Sequence, residues 1–215
     1  MKILVIGATG GSGRAATAEL LRRGHTVTAF SRHASSLELD GDLITVDGDA
    51  TDRHALAAAT AGQDAIVITL GISESAIRVR LRGPAATPSD VRSRGTAVAV
   101  DAARAAGVGR LVVQSSYGVG PTRPLLGAAD RAIFALLLKP QIADTELQEQ
   151  VVRDSDLEWT LVQPVHLTYG PEAEARVTTD GAIGARKISR LSVARVLADA
   201  AEGRHGTGRT LSVSG

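Results

Sequence analysis

The sequence contains no cysteine, so disulfide bonds and thiolate metal sites are excluded and nothing supports secretion. Aromatic residues are scarce (one Trp, two Tyr and two Phe), which argues against a stacking platform for single-stranded nucleic acid. Neither sign of charge dominates, since 24 basic side chains face 23 acidic ones. No apolar run is long enough to cross a bilayer. We therefore expect a cytoplasmic protein that binds neither nucleic acid nor membranes.

What the chain does contain is a regular alternation of buried-strand and helical patterns. Its 215 residues, 44% of them hydrophobic, are enough for one domain with its own core, spanning residues 1–215. The patterns predict strands at 2–6, 26–31, 42–49, 64–71, 110–116, 158–164 and 209–214, and helices at 12–23, 51–62, 89–108, 144–155 and 191–202. This order predicts an α/β fold, a Rossmann-type doubly wound parallel sheet with small C-terminal substrate-side elements. The loops at 72–88 and 117–141 follow strand ends and are candidates for a lid.

The first predicted turn, "GATGGSG", joins a strand to a helix and is typical of a dinucleotide-binding loop. Gly7 permits the sharp turn, Gly10 and Gly11 let the main chain approach a diphosphate, and Gly13 lets the helix pack against the strand. Unpaired amides at the helix start favour an anion there. Thr9 and Ser12 add hydroxyl donors. The alternative is a glycine-rich turn without a ligand.

The end of the second strand indicates which dinucleotide is bound. An NAD site has a carboxylate at this point to bind the ribose 2′-hydroxyl, whereas this chain has Ser31 and Arg32. A guanidinium pairs well with a 2′-phosphate, so NADP(H) is the expected cofactor. Arg14 and either Ser35 or Ser36 are candidates to extend the phosphate cradle. The competing interpretation of Arg32 is a solvated loop charge.

Two further segments are predicted to contact the cofactor. Asp49 follows the third strand and can accept from the adenine amino group, with Ala50 against the ring edge. Helix capping is the alternative role for Asp49, and both roles can coexist. Leu70 and Gly71 end the fourth strand where a ribose would pass, and glycine allows that close approach. His25, His54 and His205 do not have the spacing of metal ligands, so no metal site is expected.

Several segments together carry a family resemblance. "IGATGGSGR", "SR" after the second strand, "GDA", "AGQDAIVITLG", "SRGTAVAVDAARAAGVGRLVVQSS" and "SDLEWTLVQPVHL" resemble an atypical short-chain dehydrogenase/reductase of the NAD(P)H-binding, NmrA-like group. Within that group the pattern is most similar to the biliverdin reductase B or flavin reductase type, over nearly the whole chain. The resemblance implies a Rossmann-type fold, a preference for NADPH, and reduction of flavins, some quinones and linear tetrapyrroles. "SSYGVGPTRP" and segment 73–92, with its arginines at 78, 80 and 82, depart from the family pattern.

The resemblance also implies where the reaction takes place. Ser116 matches the family's serine beside the nicotinamide, and His166 matches its histidine after the proline that ends the sixth strand. Ser115 and Pro164 are the accompanying cofactor contacts. Ser116 would bond the carboxamide or the acceptor, and His166 would orient the nicotinamide end or assist protonation. The alternatives are a serine that satisfies strand-end backbone groups and a histidine at the rim.

Ordinary members of the wider superfamily use a Tyr-x-x-x-Lys pair, which this chain does not match. By similarity the two positions fall near Gln141 and Thr145, and the chain's two tyrosines are Tyr117 and Tyr169. Alcohol oxidation through that pair is therefore not expected. Tyr117 is a third catalytic candidate that can donate to a substrate or stack on an acceptor ring, with a core or lid position as an equal alternative.

The sequence thus predicts an NADPH-dependent reductase that transfers hydride to a small conjugated acceptor such as a flavin or quinone. Such an acceptor spreads the product charge over its ring system, so positioning matters more than a dedicated acid. The alternative is a non-catalytic NADP(H)-binding redox sensor of the NmrA-like type. Monomer and homodimer both remain open.

Overall fold

The structure is a computed structural model that describes residues 1–71, 87–127, 131 and 139–215. The strands are β1 Lys2–Ile6, β2 Thr26–Ser31, β3 Leu43–Asp47, β4 Ala65–Ile68, β5 Arg110–Gln114, β6 Glu158–Pro164, β7 His166–Thr168, β8 Arg176–Thr178, β9 Lys187–Ser189 and β10 Arg209–Ser214. The helices are α1 Gly11–Arg22, α2 Arg53–Thr60, α3 Val91–Ala106, α4 Lys139–Arg153 and α5 Arg190–Ala201, with 3-10 turns at Ala34–Ser36 and Gly120–Leu125.

In the described part of the chain, eight strands form one sheet in the order β3-β2-β1-β4-β5-β6-β10-β8. All neighbouring pairs are parallel except β10 and β8, which are antiparallel at the edge. The strand order reverses between β1 and β4, and this reversal is the point at which ligands bind in open α/β sheets. The predicted Rossmann-type doubly wound sheet is confirmed.

Alternate side chains of the sheet enter two separate apolar layers. Ile3 and Val5 of β1 pack in the layer covered by α1 and α5. Leu4 and Ile6 of the same strand pack on the other face, beneath α2, α3 and α4. A parallel strand buried on both faces has to be apolar at every position, which explains the continuous "ILVI" run.

Most predicted elements lie within two residues of their observed ends, and β1, β2, β6 and β10 match at both ends. The prediction was wrong for α4, which begins at Lys139 rather than at residue 144. It also missed β7, β8 and β9, whose three residues each are too short to show a period. The loop arginines at 78, 80 and 82, and much of both predicted lid segments, lie outside the described residues.

The start of α3 is capped from a distant part of the chain. Asp144 of α4 is buried, and its carboxylate accepts from the backbone amides of Arg92 at 3.0 Å and Ser93 at 3.1 Å. It also accepts from the Ser93 hydroxyl. The carboxylate therefore satisfies helix-end donors and fixes α3 against α4 beside the carboxyl edge of the sheet.

Candidate active site

The glycine-rich turn has the geometry that a dinucleotide diphosphate requires. Gly7 has φ +85° and donates to the Phe30 carbonyl at 2.9 Å, which closes the turn against β2. A Cβ on Gly13 would lie 2.1 Å from the Gly7 carbonyl oxygen, so only glycine allows this approach of helix to strand. No side chain in the described part of the chain caps α1 at Gly10. The first amides of α1 are thus available to an anion, and the turn fits the diphosphate.

A first cavity of about 180 Å³ opens beside this turn, at the carboxyl ends of β1 to β4. It brings together nine of the predicted cofactor residues: Gly7, Thr9, Gly10, Ser31, Arg32, Asp49, Ala50, Leu70 and Gly71. The Thr9 hydroxyl donates to Ser31 Oγ at 3.1 Å, and Nη2 of Arg32 donates to Thr87 Oγ1 at 3.0 Å. Arg32 is exposed and held at the rim, which is the position a 2′-phosphate contact needs.

Asp49 is exposed in this cavity, and its carboxylate turns back onto the chain. It accepts from the Thr51 hydroxyl at 2.7 Å and from the Thr51 amide at 2.8 Å. These two hydrogen bonds lower the pKa of Asp49 below its ordinary value. The capping role considered for Asp49 is wrong, because Asp52 caps α2 by accepting from His54 and Ala55.

The additional candidates for the phosphate cradle lie elsewhere. Arg14 is exposed on α1 and lines a separate groove rather than the first cavity. The amide and hydroxyl of Ser35 both donate to Asp47, at 2.8 and 2.7 Å. The Ser36 hydroxyl donates to the His33 carbonyl at 2.7 Å. Of the predicted phosphate-binding candidates, Arg32 is therefore the one that lines the first cavity.

A second cavity of about 440 Å³ lies at the carboxyl ends of β5 and β6. It brings together the candidates from the other half of the chain: Ser115, Ser116, Tyr117, Pro164 and His166. The parallel pairing of β5 with β6 places the two strand ends side by side, although they are far apart in sequence. Leu126, Val165, Leu167 and Ile183 add apolar walls. The cavity can thus hold a flat apolar ring beside polar groups.

The three catalytic candidates differ in their exposure and in the hydrogen bonds that their polar groups already make. Ser116 is half-buried, and its hydroxyl makes one weak contact, donating to the Tyr117 carbonyl at 3.3 Å. His166 is exposed on the cavity wall. The Tyr117 hydroxyl already donates to the Gly181 carbonyl at 3.0 Å, and burial raises the pKa of this phenol. Its ring forms a wall, and its hydroxyl is committed to the backbone.

Ser115 belongs to a buried polar network behind the cavity. Its hydroxyl donates to Glu149, which also accepts from the Gln163 amide at 2.6 Å. Arg153 pairs with the other carboxylate oxygen at 2.9 Å. Glu149 is only 1% exposed: its Oε1 accepts both hydrogen bonds, while Oε2 has the ion pair with Arg153 and no hydrogen bond among the described residues. The network fixes the ends of β5 and β6, and with them the serine that follows.

Sequence reasoning missed three arginines that line the second cavity, namely Arg92, Arg186 and Arg190. Arg92 is half-buried and donates to the Leu70 carbonyl at 2.7 Å. Loss of contact with water lowers the pKa of this guanidinium, and the charge of Asp144 acts in the opposite direction. None of the described residues that line the cavity is acidic, so it is electropositive. No sequence motif marks these arginines. They lie at the start of α3, just before β9 and at the start of α5, so they come together only in the folded chain.

By similarity, the two positions of the superfamily's catalytic pair fall near Gln141 and Thr145, and both residues lie on α4. Thr145 is buried, and its hydroxyl donates to the Gln141 carbonyl at 2.8 Å. Among the described residues there is no group of His, Asp and Glu side chains able to hold a metal ion. The helices of that same part of the chain are all too short or too polar to cross a bilayer.

Comparisons with known proteins agree with this geometry. A family model described as NAD(P)H-binding matches residues 7–203. A 3-diazoavenalumate denitrifying reductase from Streptomyces is 36% identical over 181 residues, which are 80% of this chain and 57% of that protein. The anaerobillin reductase ChuY from Escherichia coli O157:H7 superposes with a TM-score of 0.78 at 22% identity, covering 100% of this chain and 97% of that one. A Veillonella parvula short-chain dehydrogenase/reductase in complex with NADP gives a TM-score of 0.80 at 17% identity, covering 100% and 94%.

Proposed function

The chain belongs to the NAD(P)H-binding family, and we propose that it is an NADPH-dependent reductase that transfers hydride to a conjugated acceptor such as a flavin or a quinone. The reductase name of the 36% identical relative from Streptomyces supports a reduction, although this chain spans little more than half of that protein. The acceptor class follows from the family resemblance, and the apolar walls of the second cavity support it.

The first cavity supports NADPH as the form of cofactor. Ser31 and Arg32 stand where an NAD site would have a carboxylate, and both line the cavity. The exposed guanidinium donates to Thr87, and a guanidinium carries five N–H donors, so this bond is compatible with a simultaneous contact to a phosphate. A 2′-phosphate bound there gains a charge-assisted pair that NADH cannot make.

The observation that carries the proposal is the second cavity itself. It has apolar walls, a half-buried serine, an exposed histidine and an excess of positive charge at the ends of β5 and β6, and its Arg190 reaches Gly11 of the glycine-rich turn. A nicotinamide cofactor bound across the carboxyl edge, with its adenosine in the first cavity, would extend toward this second cavity. A planar acceptor stacks naturally on such walls, and its anionic product is favoured by nearby cations.

The bound nicotinamide supplies the hydride, and the chain positions the reacting groups. Ser116 donates a hydrogen bond to the carboxamide or to the acceptor, because its own contact in the protein is weak. His166 orients the same end of the site from the opposite strand. Tyr117 closes one wall with its ring, and water supplies the proton to the delocalised product. The positions of the usual tyrosine–lysine pair fall, by similarity, near Gln141 and Thr145. Such a pair is not required for this acceptor class, because the product charge is delocalised over the ring system.

Steady-state oxidation of NADPH with FMN or menadione as acceptor tests the proposal. We expect turnover that falls by about 10-fold or more in Ser116→Ala and in His166→Ala, in line with the loss of a positioned polar group. Ser155→Ala and His54→Ala are matched controls, since both side chains lie outside the second cavity. Neither control should change kcat by more than about twofold.

The same assay separates the reductase from a redox sensor. A sensor of the NmrA-like type would bind NADP(H) tightly and turn over none of the acceptors. Calorimetric titration with NADPH and NADP⁺ supplies the binding arm of the experiment. Tight binding combined with no oxidation of NADPH by any flavin, quinone or azo dye would contradict the reductase assignment.

A further inference from the structure

An arginine that the sequence did not single out lies against the start of α1. Arg190 is the first residue of α5, and its side chain reaches across to the glycine-rich turn. A Cβ added at Gly11 would lie 2.8 Å from Arg190 Nε and 3.1 Å from its Cδ. The side chain therefore packs on the bare glycine at the N-terminal end of α1, where unpaired amides favour an anion.

Tyr169 holds this guanidinium in place. The centre of the Arg190 guanidinium lies 4.2 Å from the centroid of the Tyr169 ring, which is a cation–π stack. The Tyr169 hydroxyl would lie 3.0 Å from the same added Cβ on Gly11. Tyr169 is 85% exposed even with this stack in place, so its ring is not part of the core.

The guanidinium has an unused hydrogen-bonding group at this position. Arg190 Nε is buried and has no hydrogen-bond partner among the described residues. None of the described ion pairs includes Arg190. A buried charged donor without an acceptor is costly, and phosphate oxygens are strong acceptors for a guanidinium. The arrangement is therefore incomplete as a purely structural contact.

We propose that Arg190 binds the diphosphate of the cofactor, and that Tyr169 positions it there. Arg190 also lines the second cavity, which places its charge on the nicotinamide side of the diphosphate, whereas Arg32 stands at the opposite, adenosine end. The inference rests on the proposed cofactor function and adds a different contact to it. The diphosphate is common to NADH and NADPH, so Arg190 raises affinity for both, while Arg32 discriminates between them.

Cofactor affinities of Arg190→Gln test this assignment. We expect the Kd values for NADPH and NADH to rise by the same factor, about 10-fold or more, because one charge-assisted contact is lost from both. Adenosine 2′,5′-bisphosphate, which has the adenine and the 2′-phosphate but no diphosphate, should bind within about twofold of wild type. Arg195→Gln is the matched control, because it removes the same charge from the same helix at an exposed ion pair with Glu172.

A second pair of variants tests the positioning role and does not depend on how Arg190→Gln folds. Tyr169→Phe keeps the ring and should bind both cofactors as wild type does. Tyr169→Ala removes the stacked ring from an exposed position, and it should weaken the binding of NADPH and of NADH by a similar factor. Recovery by phenylalanine is the signature of an effect transmitted through the guanidinium.

Three results with Arg190→Gln would overturn the proposal. The first is unchanged affinity for both cofactors, and the second is a loss of affinity for NADPH but not for NADH. The third is a loss of affinity for adenosine 2′,5′-bisphosphate as large as the loss for NADPH. Because the readout is binding, the test is independent of turnover. A protein that binds NADPH but reduces no acceptor would contradict the proposed reductase. The cofactor affinities of wild type and Arg190→Gln could still be compared in that protein, so the role of Arg190 would still be tested.

Discussion

Replacing Arg32 by alanine is expected to abolish most of the preference for NADPH over NADH. The residue follows the last position of β2 and lines the first cavity, with its Nη2 atom bonded to Thr87 at 3.0 Å. Ser31 beside it is buried and accepts from the Thr9 hydroxyl. The segment is thus ordered in a position where the guanidinium can meet a 2′-phosphate.

The size of the effect follows from the one interaction that NADPH makes and NADH lacks. A charge-assisted pair between a guanidinium and a phosphate contributes about 1.5–3 kcal/mol, which corresponds to about 10- to 100-fold in Kd. The neutral bond to Thr87 is lost for both cofactors, so it cancels in the ratio of their affinities. The NADPH/NADH ratio should therefore fall by nearly the whole factor, and the Kd for NADH should change little.

Calorimetric titration of each cofactor into wild type and Arg32→Ala measures that ratio directly. Arg104→Ala is the control, since Arg104 is an exposed cation on α3 that pairs with Asp156 and lines neither cavity. Ser31→Asp should shift the ratio in the same direction by a second route, because a carboxylate at the end of β2 repels the phosphate and can bind a ribose hydroxyl. Equal weakening of NADPH and NADH in Arg32→Ala would refute the reasoning.

Three further changes should affect the framework of the site. Gly13→Ala should lower the free energy of unfolding by about 1–3 kcal/mol, because its Cβ would overlap the Gly7 carbonyl oxygen at 2.1 Å, and it should abolish NADPH binding. Glu149→Leu should cost about 3–5 kcal/mol in urea unfolding, because it breaks a buried ion pair and leaves two donors without an acceptor. Acid should weaken the ion-pair cluster that joins α1 to α5, in which Arg23 at the end of α1 pairs with Glu19 of the same helix and with Asp199 of α5. Burial raises the pKa of Glu19, but hydrogen bonds from Arg22 and Arg23 hold it below its ordinary value of 4.5. This contribution is complete above that value and is lost as the pH falls through the lower folded pKa, so Arg23→Met should flatten the acid dependence of stability.

Each of these changes has a control and a contrary outcome. Gly109→Ala should be neutral, because an added Cβ there meets nothing within 4 Å, and equal stability of the two glycine variants would contradict the packing argument. Glu149→Gln retains the shape and one acceptor, so it should be milder than the leucine variant. For the acid prediction, Arg53→Met removes an exposed pair and should leave the pH profile as in wild type.

The resemblance drawn from the quoted motifs is confirmed at the level of the family, since the NAD(P)H-binding model covers residues 7–203. The residue assignments within the site remain predictions, and the structure adds their placement. It divides the candidates between two cavities, puts Ser116 and His166 in one of them, and commits the Tyr117 hydroxyl to the backbone. Motif reasoning could not have shown that last contact, because Gly181 belongs to an irregular segment.

The elements that sequence reasoning located depend on local physics. A turn with positive φ needs Gly7, a strand buried on both faces needs an unbroken apolar run, and Asp52 caps the helix that follows it. Each of these rules acts over a few neighbouring residues, so its effect can be recognised from the sequence alone. The alternation of strands and helices then restricts the sheet to a parallel, doubly wound form.

Only the tertiary structure decided which distant groups meet. The capping of α3 by Asp144, the Ser115–Glu149–Gln163 network and the reach of Arg190 to Gly11 join segments that have no period or motif in common. Such contacts arise when whole elements dock through their apolar faces, and the polar side chains at the element ends are carried to their partners. The sequence therefore determined the framework and the nucleotide turn, while packing determined the charge and shape of the cavity where an acceptor would bind.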